Sequence, residues 1–167
     1  MGKGALRILG IDPGVATTGF GIVDWMGGVA STVHYGFIGT PPHRKTPQRL
    51  EIIFRELQEL IQCYRPEEVA VEELFFNKNS KTAISVGEAR GVVLLCAALF
   101  DLPVYEYTPL EVKQAIVGYG RATKNQVIYM VGKLLGIAER ITPDDVADAL
   151  AVGLCHAFSL KMRQTYV

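Results

Sequence analysis

Apolar residues along the chain fall into short β-type runs and longer helical repeats, and their spacing predicts the order of elements. Leu6–Ile11 is largely apolar and is closed by Asp12-Pro13-Gly14, which reads as a buried strand ending in a turn. Gly19–Trp25 and Val29–Ile38 are rich in β-branched and aromatic residues, and Gly27-Gly28 between them signals a hairpin. The chain therefore opens as a three-strand meander. After a loop over Gly39–Lys45, Thr46 reads as a helix N-cap with Pro47 at the first helical position. Leu50, Ile53, Phe54, Leu57, Leu60, Ile61 and Tyr64 then keep helical spacing for about five turns, until Pro66.

Val69–Val71 is a short apolar strand that delivers Glu72 at its end. Ser80–Phe100 reads as a second helix. Its small residues Ala83, Gly87 and Gly91 would admit another backbone, from the same chain or from a second subunit. Pro103–Tyr107 is a further strand and Leu110–Val117 a short helix. Thr123 with Gln126 forms a capping-box pattern for a helix through Leu135. Thr142, Pro143 and Asp145 open a last helix to about Lys161. The order βββαβαβααα suits an α/β fold, a mixed sheet with an antiparallel edge and helices on its faces.

A length of 167 residues, 49% of them hydrophobic, fits one domain over residues 1–167 with a substantial core and excludes a disordered chain. Apolar runs such as Val92–Phe100 are too short to cross a bilayer, and the N-terminus lacks the charged and apolar regions of a signal peptide. The expectation is a cytoplasmic protein with no membrane partner. Cys63, Cys96 and Cys155 are widely spaced in apolar helical patterns and read as reduced core thiols. His34, His43 and His156 have no partners at ligand spacing and read as surface or packing residues. The net charge is zero, whereas nucleic-acid binders are usually basic. A nucleic-acid partner therefore requires the basic residues to gather on one face.

The carboxylates carry the chemistry. Asp12 ends a strand expected at the centre of the sheet. Glu72 and Glu73 end another, and because neighbouring strand residues face opposite sides, only one of them can join Asp12. Asp148 lies inside Val146–Val152, an apolar run where a lone carboxylate is costly unless it is paired or binds metal. Asp145 stands one turn earlier on the same helix face. It can also complete a capping box with Thr142 and complement the helix dipole, and Asp144 beside it reads as a cap as well. Acids from two strand ends and one helix start, without His or Cys, form a hard oxygen donor set suited to Mg²⁺ or Mn²⁺. Four carboxylates can hold two such ions about 3.5–4 Å apart for phosphodiester cleavage.

With these residues in place, the chain resembles the RuvC family of Holliday junction resolvases. The likeness lies in Gly10-Ile11-Asp12-Pro13-Gly14 followed by Gly19, and in Ala70-Val71-Glu72-Glu73-Leu74-Phe75. It continues in Val112-Lys113-Gln114 with Gly118-Tyr119-Gly120 and Lys124, and in Asp145-Val146-Ala147-Asp148-Ala149-Leu150-Ala151. It spans about residues 6–158. The resemblance implies an RNase H-like fold with a five-stranded mixed sheet, three antiparallel strands then two parallel ones, flanked by helices on both faces. It implies a homodimer that nicks two strands of a four-way DNA junction symmetrically in recombination and repair, with Mg²⁺ as cofactor, and the RuvA-RuvB branch-migration complex as a further partner. It places the four acidic ligands on Asp12, Glu72, Asp145 and Asp148. It also places a base-stacking aromatic on Phe75, and on Lys113 and Lys124 the cations that meet the scissile region.

The residues themselves are compatible with those roles. Phe75-Phe76-Asn77-Lys78 leaves a strand for a loop, where aromatics can stack on bases and Lys78 can meet a phosphate. Lys113, Arg121 and Lys124 flank the glycine-rich turn Gly118–Gly120, which a phosphate can approach. Three other functions share parts of the pattern. A sugar-kinase or actin-like ATPase also opens with a strand, Asp-x-Gly and a hairpin, but needs two such domains. A non-catalytic junction-binding module would be marked by loss of an acid. A ribonuclease H acting on RNA–DNA hybrids shares the chemistry and differs in substrate.

Overall fold

The computed structural model of the chain describes residues 4–73 and 80–165. The elements are β1 (Leu6–Asp12), β2 (Thr17–Met26), β3 (Val29–Gly39), α1 (Thr46–Tyr64), β4 (Glu68–Glu72), α2 (Ser80–Leu99), β5 (Val104–Tyr107), α3 (Pro109–Val117), α4 (Lys124–Leu135) and α5 (Asp144–Thr165). This is the order that periodicity predicts. The strands form one sheet, β3-β2-β1-β4-β5, antiparallel from β3 to β1 and parallel from β1 to β5. Gly27 and Gly28 turn the β2–β3 hairpin at φ 60° and 88°, a left-handed backbone that glycine adopts without strain.

Strand alternation splits the core into two layers. Leu9 and Ile11 of β1, with Val69 and Val71 of β4, pack under α1 and α2 beside Ile53, Leu57, Val93 and Cys96. Ile8 and Ala70 face the opposite way, into the layer built from α3, α4 and α5 with Val112, Val127, Leu150 and Leu154. Helices thus cover both faces of the sheet. The position of α5 depends on bare strand backbone beneath it. A Cβ on Gly10 would collide with the Ala149 carbonyl and the Gly153 backbone, and one on Gly19 with the Asp145 backbone. One on Gly21 would strike the Leu150 side chain. Since Asp12 pairs with Gly19, this contact sets the start of α5 directly over the end of β1. Gly19→Ala should therefore cost about 3 kcal/mol or more in urea unfolding, at the upper end of overpacking effects, because rigid backbone must move.

Several local expectations change. Thr46 is helical and Lys45 is the N-cap, where the Gln48 side-chain oxygen accepts from the Lys45 N–H at 3.3 Å. Thr142 makes no cap with Asp145: α5 begins at Asp144 and the Val146 N–H donates to the Pro143 carbonyl. The Thr123–Gln126 capping box is present, and an unforeseen one joins Thr108 and Glu111 at α3. Cys96 and Cys155 are buried, but Cys63 is exposed, because it lies on the solvent side of the α1 stripe.

Judging membrane length from Val92–Phe100 alone underestimates α2. Its window Thr82–Leu99 has a mean hydropathy of 1.5 over 18 residues, long and apolar enough by that measure to cross a bilayer. One side of it packs in the α1–α2 layer through Ala89, Val93, Cys96 and Ala97, and mid-helix Arg90 pairs with Glu106 at 2.5 Å. The other side leaves Ile84, Gly91, Leu95 and Leu99 exposed.

Candidate active site

The face that a strand residue takes is fixed by parity, and parity brings the acids together. Gly10 pairs with Ala70 between β1 and β4. Two residues further along each strand stand Asp12 and Glu72, both on the α5 side of the sheet. Glu73 has the opposite parity, so of the two glutamates it is Glu72 that stands on the Asp12 side of the sheet. From above, the first turns of α5 bring Asp145 and Asp148, three apart and hence on neighbouring positions of one helix face.

The charges of these acids act on one another. Burial, followed by repulsion from Asp148, Asp145 and Glu72, pushes the Asp12 carboxyl up to about 8, against a smaller opposing pull from Lys124. Glu72 is raised by burial and then by Asp148, with Lys113 and Lys124 pulling it back. Asp148 is raised mainly by burial, although a hydrogen bond and charge attraction from Lys124 oppose the shift. Lys124 Nζ lies 3.1 Å from Asp148 Oδ2 and 3.6 Å from Asp144 Oδ2. Burial works against its ammonium, but these two acids outweigh it and raise the lysine pKa. Of the adjacent pair that opens α5, Asp145 and not Asp144 adds to the repulsion from Asp148 that raises Asp12, while Asp144 turns toward Lys124.

A cavity of about 250 Å³ opens here, walled by Glu72, Lys113, Lys124 and Asp148 with Pro109, Val112, Val127 and Ala151. Both lysines thus reach the site. Arg121 is exposed on the α3–α4 turn and is not part of the wall. Phe75, Phe76 and Lys78 lie outside the described residues. Sequence reasoning missed the basic loop after β3. Thr17 pairs with Gly39, and the Thr40 N–H donates to the Ala16 carbonyl, so this loop sits at the Asp12 end of the sheet with Arg44 and Lys45 exposed. Arg44 and Lys45 thus place two exposed cations at that end of the sheet.

The donor set suits a hard divalent cation, being carboxylate oxygen throughout. Burial and the repulsion of its neighbours raise Asp12, and added positive charge at the site would oppose that shift. Among the described residues, no three acidic, His or Cys side chains close to the spacing of one ion's ligands. The acids share a field rather than a tight shell, as like charges spread apart and Lys124 takes the place beside Asp148.

Residues 8–156 match the family model for crossover junction endodeoxyribonuclease RuvC. A relative of that name from Moorella thermoacetica is 57% identical over 159 residues, 95% of each chain. Another, from Syntrophomonas wolfei, is 53% identical over 157 residues, 94% of this chain and 91% of its own. Among solved structures, T. thermophilus RuvC in complex with Holliday junction substrate superposes with a TM-score of 0.89 at 40% identity, over 95% of this chain and 96% of that one. The yeast mitochondrial Holliday junction resolvase shares the fold alone, at TM-score 0.68 and 14% identity over 99% of this chain and 85% of that one. The fold is RNase H-like, as the resemblance implied.

Proposed function

The chain belongs to the RuvC family of crossover junction endodeoxyribonucleases, and from that premise we propose how its own residues carry the reaction. It is a Holliday junction-resolving endonuclease of recombination and repair, binds junction DNA, and depends on a divalent metal as its family does. In our reading residues 1–167 form one nuclease domain, acting in the cytoplasm. Asp12, Glu72, Asp145 and Asp148 hold two Mg²⁺ ions per subunit, with Mn²⁺ able to substitute. The observation that supports this most is the convergence of these acids from β1, β4 and α5 on one buried field beside Lys113 and Lys124.

When bound, the ions supply Lewis-acid charge stabilisation and a lowered water pKa. The chain supplies placement and countercharge. Lys113 and Lys124, on the cavity wall, stabilise negative charge as it develops on the phosphate oxygens. Lys124 Nζ lies 3.1 Å from Asp148 Oδ2, and it would be free to take that role where Asp148 serves as a metal ligand. Arg121 and Lys78 attract the backbone, and Phe75 and Phe76 stack on bases near the crossover. Incubating the protein with an end-labelled mobile four-way junction, with and without Mg²⁺, tests the reading. Paired nicks in strands of like polarity are expected, only with the metal. Metal-independent nicks, or none, would sink it. Neither the ATPase reading nor the non-catalytic module is favoured by the family or by four acids in place.

Two symmetric nicks call for two sites across a two-fold axis. We assign the dimer contact to the exposed side of α2. Gly87 and Gly91 have open space where a Cβ would stand, so among the described residues no helix of the same chain closes on them. Ile84, Gly91, Leu95 and Leu99 continue that surface at helical spacing. Leu95→Asp should give a folded monomer by light scattering and uncouple the two nicks. A variant that stays dimeric would move the interface elsewhere. The RuvA-RuvB complex is the further partner we propose, on family grounds.

A further inference from the structure

His156 is fully buried on α5, two turns beyond Asp148 on the same side of the helix. Its Nε2 lies 2.5 Å from Glu68 Oε2, at the first residue of β4, and its Nδ1 lies 2.6 Å from the Tyr107 hydroxyl, at the last residue of β5. A single tautomer satisfies both contacts: Nε2–H donates to the carboxylate and Nδ1 accepts from the phenol. Tyr105 stacks on the ring at 4.3 Å between centroids. The Ser159 hydroxyl donates to the His156 carbonyl at 2.8 Å and lies 3.0 Å from the Tyr107 hydroxyl. None of these side chains lines the acidic cavity.

Their value lies in where the three elements go next. Helix α5 runs antiparallel to β4, so Glu68 meets His156 at one end and Glu72 feels Asp148 at the other. From Glu68 to Glu72 the strand rises about 13 Å. From His156 back to Asp148 the helix rises about 12 Å. The two lever arms match, so a clamp at one end sets the register of two acids at the other. Tyr107 is followed at once by Thr108, the N-cap of α3, the helix that carries Lys113.

We propose that Glu68, His156 and Tyr107 form a positioning clamp that fixes the register of α5 against β4 and β5, and through it the spacing of Asp148, Glu72 and Lys113. This rests on the functional reading above, in which those acids hold the metal. Hydrogen bonds of fixed geometry add a directional constraint to the packing that already seats α5 on the sheet.

The test uses full-length protein and three variants: His156→Leu, Tyr107→Phe and Glu68→Gln. Three readouts are taken, namely junction affinity in EDTA, the Mg²⁺ concentration for half-maximal single-turnover nicking, and the Mg²⁺-induced rise in Tm. His156→Leu is expected to keep junction affinity within twofold, to raise the half-maximal Mg²⁺ at least fivefold and to shrink the Tm rise. Tyr107→Phe, which removes one hydroxyl and preserves the core, should shift the same two quantities in the same direction by a smaller factor. Glu68→Gln, which still accepts from Nε2, should retain most of the parent behaviour. If His156→Leu does not fold, Tyr107→Phe decides. Lowered stability with unchanged Mg²⁺ dependence in both metal readouts would overturn the clamp and leave a purely structural role. Absence of nicking in the parent protein would instead overturn the functional reading, so the two failures are distinct.

Discussion

Asp148→Asn is expected to lower the single-turnover nicking rate about a thousandfold or more, while junction affinity measured without metal stays within about threefold. A factor of a thousand corresponds to about 4 kcal/mol of transition-state stabilisation. The asparagine keeps the shape of the side chain but removes the anionic oxygen that we assign to the metal. Helix α5 should not move, because Val146, Ala147, Leu150 and Ala151 around it are buried and hold the helix in place. DNA affinity should hold because the cations that meet the backbone remain, and Lys124 is released from its 3.1 Å contact with Asp148. The charge change has a second consequence. Asp148 is the largest electrostatic contributor to the raised Asp12, so its removal lets Asp12 ionise at lower pH. Raising the pH should therefore recover none of the lost rate. A variant that nicks within tenfold of the parent in Mg²⁺, or regains activity at pH 9, would remove Asp148 from the catalytic set.

The elements that could be read from sequence are those where a local pattern and the tertiary environment agree. The apolar run into Asp12, the Gly27-Gly28 turn and the Thr123–Gln126 cap each depend on neighbours within a few residues, and all appear as expected. Strand periodicity left Glu72 and Glu73 open and the family resemblance pointed to Glu72; the physical reason is the pairing of Gly10 with Ala70, a contact sixty residues apart that no window along the chain contains. The same applies to the glycines of β1 and β2. In sequence Gly10, Gly19 and Gly21 look like weak points in a strand, and only the packing of α5 shows that they are seats for a helix backbone. His156 was the larger omission. A lone histidine in Ala151–Ala157 has no sequence neighbour at ligand spacing, because its partners come from β4 and β5. The Thr142 cap failed for the reverse reason: its local pattern is sound, but α5 begins later, where the Asp145 backbone rests on Gly19.

In EDTA, the Asp12→Asn variant is expected to be more stable than the parent protein above pH 8 and close to it near pH 4. Asp12 is held up to about 8 in the folded chain, against an ordinary value of about 3.9 when unfolded. Between those limits the folded state keeps a proton that the unfolded state has released, so stability falls as the pH rises through this window and levels off above it. Four units correspond to about 5 kcal/mol as an upper bound on the loss from this carboxyl alone. Glu72 and Asp148, also raised, act in the same direction. Asparagine has no proton to lose, so the difference between parent and variant isolates Asp12 from every other titrating group. Mg²⁺ offsets part of that loss in the parent. Cations bind the ionised acids and not the protonated ones, so the metal-induced stabilisation, read as a rise in Tm, should grow from pH 5 to pH 8, reaching about 1.4 kcal/mol at ten times the dissociation constant. In the variant the Mg²⁺ effect should largely vanish. Thermal unfolding across pH, with EDTA or Mg²⁺, measures all four combinations. If the parent-minus-variant difference is flat between pH 4 and 8, Asp12 is not in a frustrated acidic field. If Mg²⁺ stabilises both proteins equally, Asp12 is not a ligand.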